Sequence, residues 1–347
     1  MRSFYTHTKA ETFKNYRLWA CDCTTQLLPD NEKTREIGVC SNQTGVYAAA
    51  KLSVYYDVLG KLLVGMEIAD KGQSDLYCCI EKQVSGIPKD VISIYDRGYG
   101  SILLPFLHNF YGTKCVIRLK KDFSSVVKNF LSSDLQDTTI TENINLKTYK
   151  KLLEMGFEIA RNACVTYRLV KVLLSTGEVE VLMTNLGEEF TINDLGEIYR
   201  LRWGIETCFS CMKNNQMLGS FSGYSKKVVL QDIWCNLIFY NMQTVSQLDA
   251  DKKAAKVAKK RAENPSKNKK KENKGYKINR NIGTGTLKSH FCELFQCADS
   301  QISKVIRKIE KTLLGSLEMI RDASRERVFK SRKRKRHYTE PNYKPAF

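Results

Sequence analysis

The sequence has little proline, 6 residues in 347, and no long uninterrupted apolar run. A chain so poor in proline and 42% apolar is neither collagen-like nor disordered throughout. Its longest apolar stretch, residues 228–242, is broken by Gln231, Asp232 and Asn236 and is too polar to span a bilayer. The opening residues, Met1-Arg-Ser-Phe-Tyr-Thr-His7, contain no apolar segment of the kind that heads a secretory signal. A recognisable Ser–His or Cys–His pair for nucleophilic catalysis is also missing. The twelve cysteines are scattered through strand and helix patterns, as buried or free thiols are, which argues against a disulfide framework. Cys208 and Cys211 form a CxxC pair, but no second Cys or His pair stands at zinc spacing, so metal binding is not expected there. These absences together predict a soluble, reduced, cytoplasmic protein.

The length corresponds to roughly two domains. Lys and Arg number 56 against 37 Asp and Glu, for a formal charge of +19. Residues 251–347 hold 28 basic and 10 acidic groups, a net of +18, whereas the first 250 residues hold 28 and 27. A near-neutral body is thus joined to a strongly basic C-terminal third. That asymmetry favours a polyanionic partner, because each Lys or Arg placed on a phosphate releases condensed counterions. The plainer reading of such a segment is a solvated, solubilising tail.

The first half alternates strand and helix patterns. Residues 16–21 read as a short strand ending at Asp22, and residues 51–58 and 61–69 as a hairpin turning at Leu59-Gly60. Residues 74–84 have helical spacing, residues 91–95 form a compact apolar strand running into Asp96, residues 101–110 look helical, and residues 114–120 form a further strand. The order predicts a mixed α/β layer structure. A polar stretch at 132–145, a helical segment near 149–155 and strands at 165–174 and 178–184 then read as a β-rich insertion. Thr191-Ile-Asn-Asp194 has capping-box spacing and predicts a helix running to about Lys213, with another helix at 227–247. Residues 249–280 carry 13 basic and 4 acidic groups and read as a disordered or weakly helical linker. Helical spacing returns at Ile302, Val305, Ile306, Ile309 and Leu313, and residues 331–337 close the basic region with Ser-Arg-Lys-Arg-Lys-Arg-His.

The sharpest signal lies between Ile198 and Lys213. With Tyr199 at zero and about 100° per residue, Arg202 falls near −60°, Glu206 near −20° and Lys213 near −40°. The apolar residues Ile198, Leu201, Ile205, Cys208, Phe209 and Met212 flank that stripe, so it borders the buried face. An ordinary Arg202–Glu206 surface pair would contribute a few tenths of a kcal/mol. Asp22 and Asp96, each read as following a strand, could converge with Glu206 if their strands are neighbours. Three converging acids suit Mg²⁺ or Mn²⁺, and two such ions about 3.5–4 Å apart can serve phosphoryl transfer. Lys213, about 10 Å further along the helix than Glu206, could hold a neighbouring phosphate.

Tyr199-x2-Arg202-x3-Glu206-x6-Lys213 resembles the full signature of the DDE transposases of the insertion-sequence-4 family. Arg202-Trp203-x-Ile205-Glu206, Asp96-Arg-Gly-Tyr99, Cys115-Val-Ile-Arg-Leu-Lys120 and Leu182-Met-Thr-Asn-Leu186 are similar to that family as well, and the resemblance runs from about Leu18 to Met242. It implies a ribonuclease H-like core with a β-strand insertion between the second Asp and the Glu. Asp22, Asp96 and Glu206 would be the catalytic, metal-binding acids. Tyr199, Arg202, Lys213 and Arg118 would contact double-stranded DNA, namely transposon terminal inverted repeats and target DNA. Family members excise DNA by nicking, hairpin transesterification, hairpin opening and strand transfer, acting as dimers that hold two ends in a synapse. The implied location is the bacterial cytoplasm, at the nucleoid.

The expected organisation is residues 1–121 and 191–248 as two parts of the catalytic core, 122–190 as the insertion, 249–280 as a flexible basic linker, and 281–347 as a helical basic region. Family members usually carry a sizeable N-terminal DNA-binding domain, where 21 residues precede Asp22 here. That departure motivates the alternative of a truncated, non-catalytic DNA-binding or dimer-poisoning regulator.

Overall fold

The computed structural model describes residues 11–42, 45–82, 84–174, 176–263 and 276–319. These residues form two compact units, one running to Phe209 and including Tyr224–Lys226, the other holding Ser210–Gly223 and the chain from Lys227 onward.

The first unit is built on β1 (Arg17–Leu27), α1 (Glu32–Arg35), β2 (Val39–Asn42), β3 (Gly45–Asp57), β4 (Leu62–Asp70), α2 (Asp75–Lys82), β5 (Val91–Tyr95), α3 (Leu103–Tyr111) and β6 (Lys114–Leu119). It continues through α4 (Ser125–Ser132), β7 (Asp137–Asn143), α5 (Leu146–Glu154), β8 (Cys164–Leu173), β9 (Val179–Thr184), α6 (Ile192–Leu201) and α7 (Gly204–Ser210). All nine strands join one sheet in the order β2-β3-β1-β5-β6-β9-β8-β7, with β4 also pairing β3. Within it, β4, β3 and β1 are antiparallel neighbours, and β1, β5 and β6 run parallel. That mixed pattern is the α/β layering the element order predicts, and it is consistent with the ribonuclease H-like core that the resemblance implies. The strands read as an insertion continue the same sheet, because β9 pairs β6 antiparallel and β8 and β7 follow.

Burial explains the strand pattern. All five residues of β5 are buried, as expected for a strand covered on both faces. Beneath it lies a polar chain within the core. Tyr55 and Tyr95 share a 2.6 Å hydroxyl bond, Tyr95 meets His108 Nε2 at 3.0 Å, and His108 Nδ1 meets Thr113 Oγ1 at 2.7 Å. With both ring nitrogens partnered, the buried His108 is neutral; burial pulls its pKa down to about 3.

Several local expectations are corrected. β1 runs on to Leu27, so Asp22 is a mid-strand residue and not a strand end. The polar 132–145 stretch contains β7, whose Thr138, Thr139, Ile140 and Thr141 pair with β8. In the second unit, α8 (Lys226–Glu263) extends well into the segment read as a linker. Its Ala, Lys and Glu residues are strong helix formers, and Ala250 and Ala254 are fully buried, so charge density alone was a poor guide there. Residues 264–275, and the basic cluster at 331–337, lie outside the described residues. The second unit is completed by β10 (Tyr276–Ile278), α9 (Arg280–Gln296), α10 (Asp299–Gly315) and β11 (Leu317–Met319), with β10 and β11 paired antiparallel. Val305, Ile309 and Leu313 are its buried α10 residues, packed with Leu287 and Ile278, while Ile306 is half exposed. Among the described residues no helix is long and apolar enough to cross a membrane.

Candidate active site

Asp22 and Asp96 come together through register. The parallel β1–β5 ladder ends at Cys21 opposite Tyr95, so Asp22 and Asp96 are the next residue on each strand. β1 continues beside β3, with Asp22 opposite Val54, while the chain after Tyr95 turns away. The two acids therefore stand where parallel strands part, at the carboxyl end of β5. The sequence reading placed each Asp just after a strand with the two strands as possible neighbours; the pairing is observed, but β1 runs on past Asp22.

The helix that carries the other candidates begins as expected. Thr191 accepts a bond from the Asp194 amide, and Asp194 accepts one from the Thr191 amide, closing a capping box. α6 then packs closely on β8. A side chain at Gly196 would bring a Cβ to 3.0 Å from Val172 Cγ1, so the absent side chain permits the approach. The expected single helix to Lys213 is corrected by the structure. α6 stops at Leu201, residues 202 and 203 form a turn, α7 starts at Gly204, and a π-helical turn follows at Cys211–Asn215. The Gly204 backbone lies against the Tyr56 ring, where an added Cβ would stand 3.3 Å from Cε1. One continuous wheel thus does not describe residues 199–213. Lys213 belongs to the second compact unit, in the π-helical turn.

Arg202, in the turn between α6 and α7, lies between acids. Its Nη1 is 3.4 Å from Asp22 Oδ2 and its Nη2 is 3.1 Å from Glu206 Oε1. Arg202 is 6% exposed, so this is a largely desolvated guanidinium whose charge is met by the carboxylates. Tyr199, in the last turn of α6, donates its hydroxyl to Asp96 Oδ1 at 2.9 Å. The ring of Tyr199 is attended by two cations: the Arg202 guanidinium lies 5.7 Å from its centroid and that of Arg118 5.9 Å. Arg118, on β6, also donates a side-chain hydrogen bond to the Tyr199 hydroxyl and pairs with Glu180 on β9 at 2.9 Å. The structure thus gathers Asp22, Asp96, Glu206, Tyr199, Arg202 and Arg118 into one cluster. Glu180 was missed by sequence reasoning. Its signal is present, an acid inside the apolar strand Val-Glu-Val-Leu-Met, but nothing local says which base it meets.

Electrostatics divides the acids. Burial pushes the Asp22 carboxyl up to about 6, and the nearby Asp96 and Glu206 charges push the same way, against the Cys23 amide and Arg202. Burial also acts upward on Asp96. There the Arg97 amide, Arg202, the Tyr199 hydroxyl and Arg118 prevail, holding it below the ordinary carboxylate range. Tyr199 is raised to about 12, by burial first and then by Asp96, so it remains a proton donor at neutral pH.

The donor set is entirely carboxylate oxygen, the chemistry that hard divalent cations prefer. Burial above all, and then the charges of Asp96 and Glu206, makes Asp22 resist ionisation, a condition that a bound cation would relieve. Among the described residues no group of three such side chains forms a ready-made ion cage, and Arg202 contacts Asp22 and Glu206 instead. The fit is therefore one of donor chemistry and charge. Cys208 and Cys211 are both buried and form no disulfide.

A family model described as Transposase DDE domain matches residues 16–242. The match begins just before β1 and ends within α8, so it contains every candidate residue named above. No curated protein matches the chain.

Proposed function

The chain belongs to the transposase DDE-domain family, and from that premise we propose that Asp22, Asp96 and Glu206 carry out metal-dependent cut-and-paste transposition of an insertion sequence. Members of this family are polynucleotidyl transferases that act on DNA and use divalent metals, and this chain is accordingly an enzyme of DNA transposition. The observation that carries the finer reading is the meeting of the two Asp residues at the end of the β1–β5 ladder, with Arg202 linking Asp22 to Glu206.

Asp22, Asp96 and Glu206 would hold Mg²⁺ or Mn²⁺, two ions in this reading, which when bound polarise the scissile phosphodiester and activate the attacking oxygen. Tyr199 fixes the Asp96 carboxylate through its hydroxyl. Arg202 offsets the charge of Asp22 and Glu206 and sets their separation. Arg118 is 29% exposed at its side chain and so retains a face for a DNA phosphate. Lys213 and the basic C-terminal third would supply further phosphate contacts. The full Tyr-Arg-Glu-Lys spacing supports membership of the insertion-sequence-4 group. The reaction series is then nicking, hairpin transesterification, hairpin opening and strand transfer at terminal inverted repeats. Synapsis of two ends would be the work of a homodimer, at the bacterial nucleoid.

Glu206→Gln preserves size and removes the charge. The variant is expected to bind duplex DNA as the unmodified chain does and to lose Mg²⁺-dependent strand cleavage. Undiminished cleavage by the purified variant would sink the assignment. DNA binding by the unmodified chain with no cleavage in Mg²⁺ or Mn²⁺ would favour a non-catalytic regulator in its place.

A further inference from the structure

Glu180 is an acid where a strand has no need of one. It is 8% exposed, and the strand it interrupts is otherwise Val179, Val181, Leu182, Met183 and Thr184. Burying a carboxylate costs several kcal/mol unless it is paired, and a paired one is seldom more stable than an apolar residue of similar volume. Stability alone therefore does not account for Glu180.

Register accounts for its partner. Arg118 on β6 stands opposite Leu182 on β9, and Glu180 lies two residues further along the same face of β9, the diagonal position from which long side chains meet. Val172 is directly opposite Glu180 on β8, and its Cγ1 faces Gly196 of α6. Arg118 and Glu180 thus share the sheet face on which α6 packs. From there the contacts run in one direction. Glu180 Oε1 meets Arg118 Nη2 at 2.9 Å, Arg118 meets the ring and hydroxyl of Tyr199, and Tyr199 donates to Asp96 Oδ1 at 2.9 Å.

We propose that Glu180 is a positioning residue for Asp96, acting by fixing the Arg118 guanidinium against Tyr199 so that the Tyr199 hydroxyl is held on the Asp96 carboxylate. The inference rests on the reading that Asp96 serves strand cleavage, and it deepens that reading by adding a fourth acid that touches neither DNA nor metal. Without Glu180, Arg118 remains charged but is no longer fixed against Tyr199. Tyr199 then loses one of the two cations that order its ring. Glu180 therefore governs the rate of the chemical step and leaves DNA affinity largely alone.

The test uses the full chain with Glu180→Gln, Glu180→Asp, Tyr199→Phe and the Glu180→Gln/Tyr199→Phe double variant. Nicking of a supercoiled plasmid in Mg²⁺ gives the single-turnover rate, and a fluorescent random-sequence duplex gives the Kd. Glu180→Gln is expected to nick about tenfold more slowly with a Kd within about twofold of the unmodified chain, and Glu180→Asp to recover most of the rate. In the Tyr199→Phe background, Glu180→Gln should cost less than about twofold, because the path through the hydroxyl is already cut. An unchanged rate in Glu180→Gln, or the same tenfold cost with Tyr199 removed, would overturn the proposal. Urea unfolding of the unmodified chain, Glu180→Gln, Tyr199→Phe and the double variant separates this from the parent reading: in a connected chain the double variant loses less stability than the two single losses together. If the unmodified chain does not nick, the assignment of Asp96 to cleavage fails. Strictly additive unfolding losses overturn the Glu180 connection itself.

Discussion

Asp22→Asn should make the metal-free protein more stable at neutral pH, by an amount that grows with pH. The Asp22 carboxyl is raised from 3.8 to about 6, chiefly by burial, with its side chain 25% exposed. A pKa raised in the folded state means that the fold prefers the protonated acid. The stabilising contribution is complete below the unfolded value near 3.8 and is lost as pH rises through 6. A rise of that size corresponds to about 3 kcal/mol, of which about 2.5 kcal/mol falls between about pH 4 and about pH 7.5. The raw stability curve will not display this loss cleanly. His108, lowered from 6.5 to about 3 by burial, drives stability the other way across the same window, because the unfolded chain takes up a proton there and the folded one does not. Only the difference between Asp22→Asn and the unmodified protein isolates the carboxyl, since His108 is common to both. Urea unfolding at pH 4, 5, 6 and 7.5 in the presence of a chelator measures that difference, and carbon-13 NMR of the Asp22 carboxyl locates its midpoint. The advantage of Asp22→Asn should rise by about 2.5 kcal/mol across the series, on top of a constant offset for its altered bonds to Arg202 and Cys23. A difference that is flat with pH, or a midpoint near 4, would refute the idea that burial among like charges disfavours ionisation here.

Two further perturbations test the frame around the site. His108→Gln should flatten the acid limb of the stability curve, where the unmodified protein is expected to lose up to about 5 kcal/mol between pH 6.5 and 3; an unchanged acid limb in urea melts would show that His108 is not buried neutral. Arg168→Met should cost about 3 kcal/mol or more in urea unfolding, because Arg168 forks onto Asp137 and donates to the Gly187 and Phe190 carbonyls at 2.7 and 2.9 Å, which sets the segment leading into α6. A loss below about 1 kcal/mol would place that clamp among ordinary surface pairs.

Much of the frame was legible because it depends on local pattern. Apolar, β-rich runs marked β3, β4, β5, β8 and β9, and the Thr191–Asp194 box marked the start of α6 to the residue. What escaped depends on distant partners. β7 is polar along its length and becomes a strand by pairing with β8, which no window around it reveals. β1 continued past Asp22 because β3 extends beside it as far as Ala49 opposite Leu27. α8 outran its predicted end because buried Ala250 and Ala254 anchor a segment whose charge suggested a solvated linker. The break after Leu201 is the most consequential miss. Residues 198–209 keep helical apolar spacing on both sides of it, so periodicity alone could not show that Arg202 and Trp203 form a turn.

That break changes how the signature spacing is understood. On one unbroken helix, Tyr199, Arg202 and Glu206 would lie in a row along a groove, and their spacing would describe the reach of a helix face toward DNA. In the structure the first two residues are turned toward acids: Tyr199 holds Asp96, and Arg202 stands between Asp22 and Glu206. The three-residue step from Tyr199 to Arg202 stacks the guanidinium on the tyrosine ring, and the four-residue step to Glu206 returns the same guanidinium to a carboxylate one element later. Arg118 reaches the other cation position on the Tyr199 ring from β6, and Glu180 holds it there from β9. Asp22 is buried beside two other carboxylates, and the buried Arg202 between it and Glu206 offsets the charge gathered at that corner of the sheet. Within the chain, the spacing from Tyr199 to Glu206 thus serves the internal electrostatics of an acid cluster. Of the two bases on the Tyr199 ring, Arg118 is the one whose side chain stays partly exposed, 29% against 7% for Arg202.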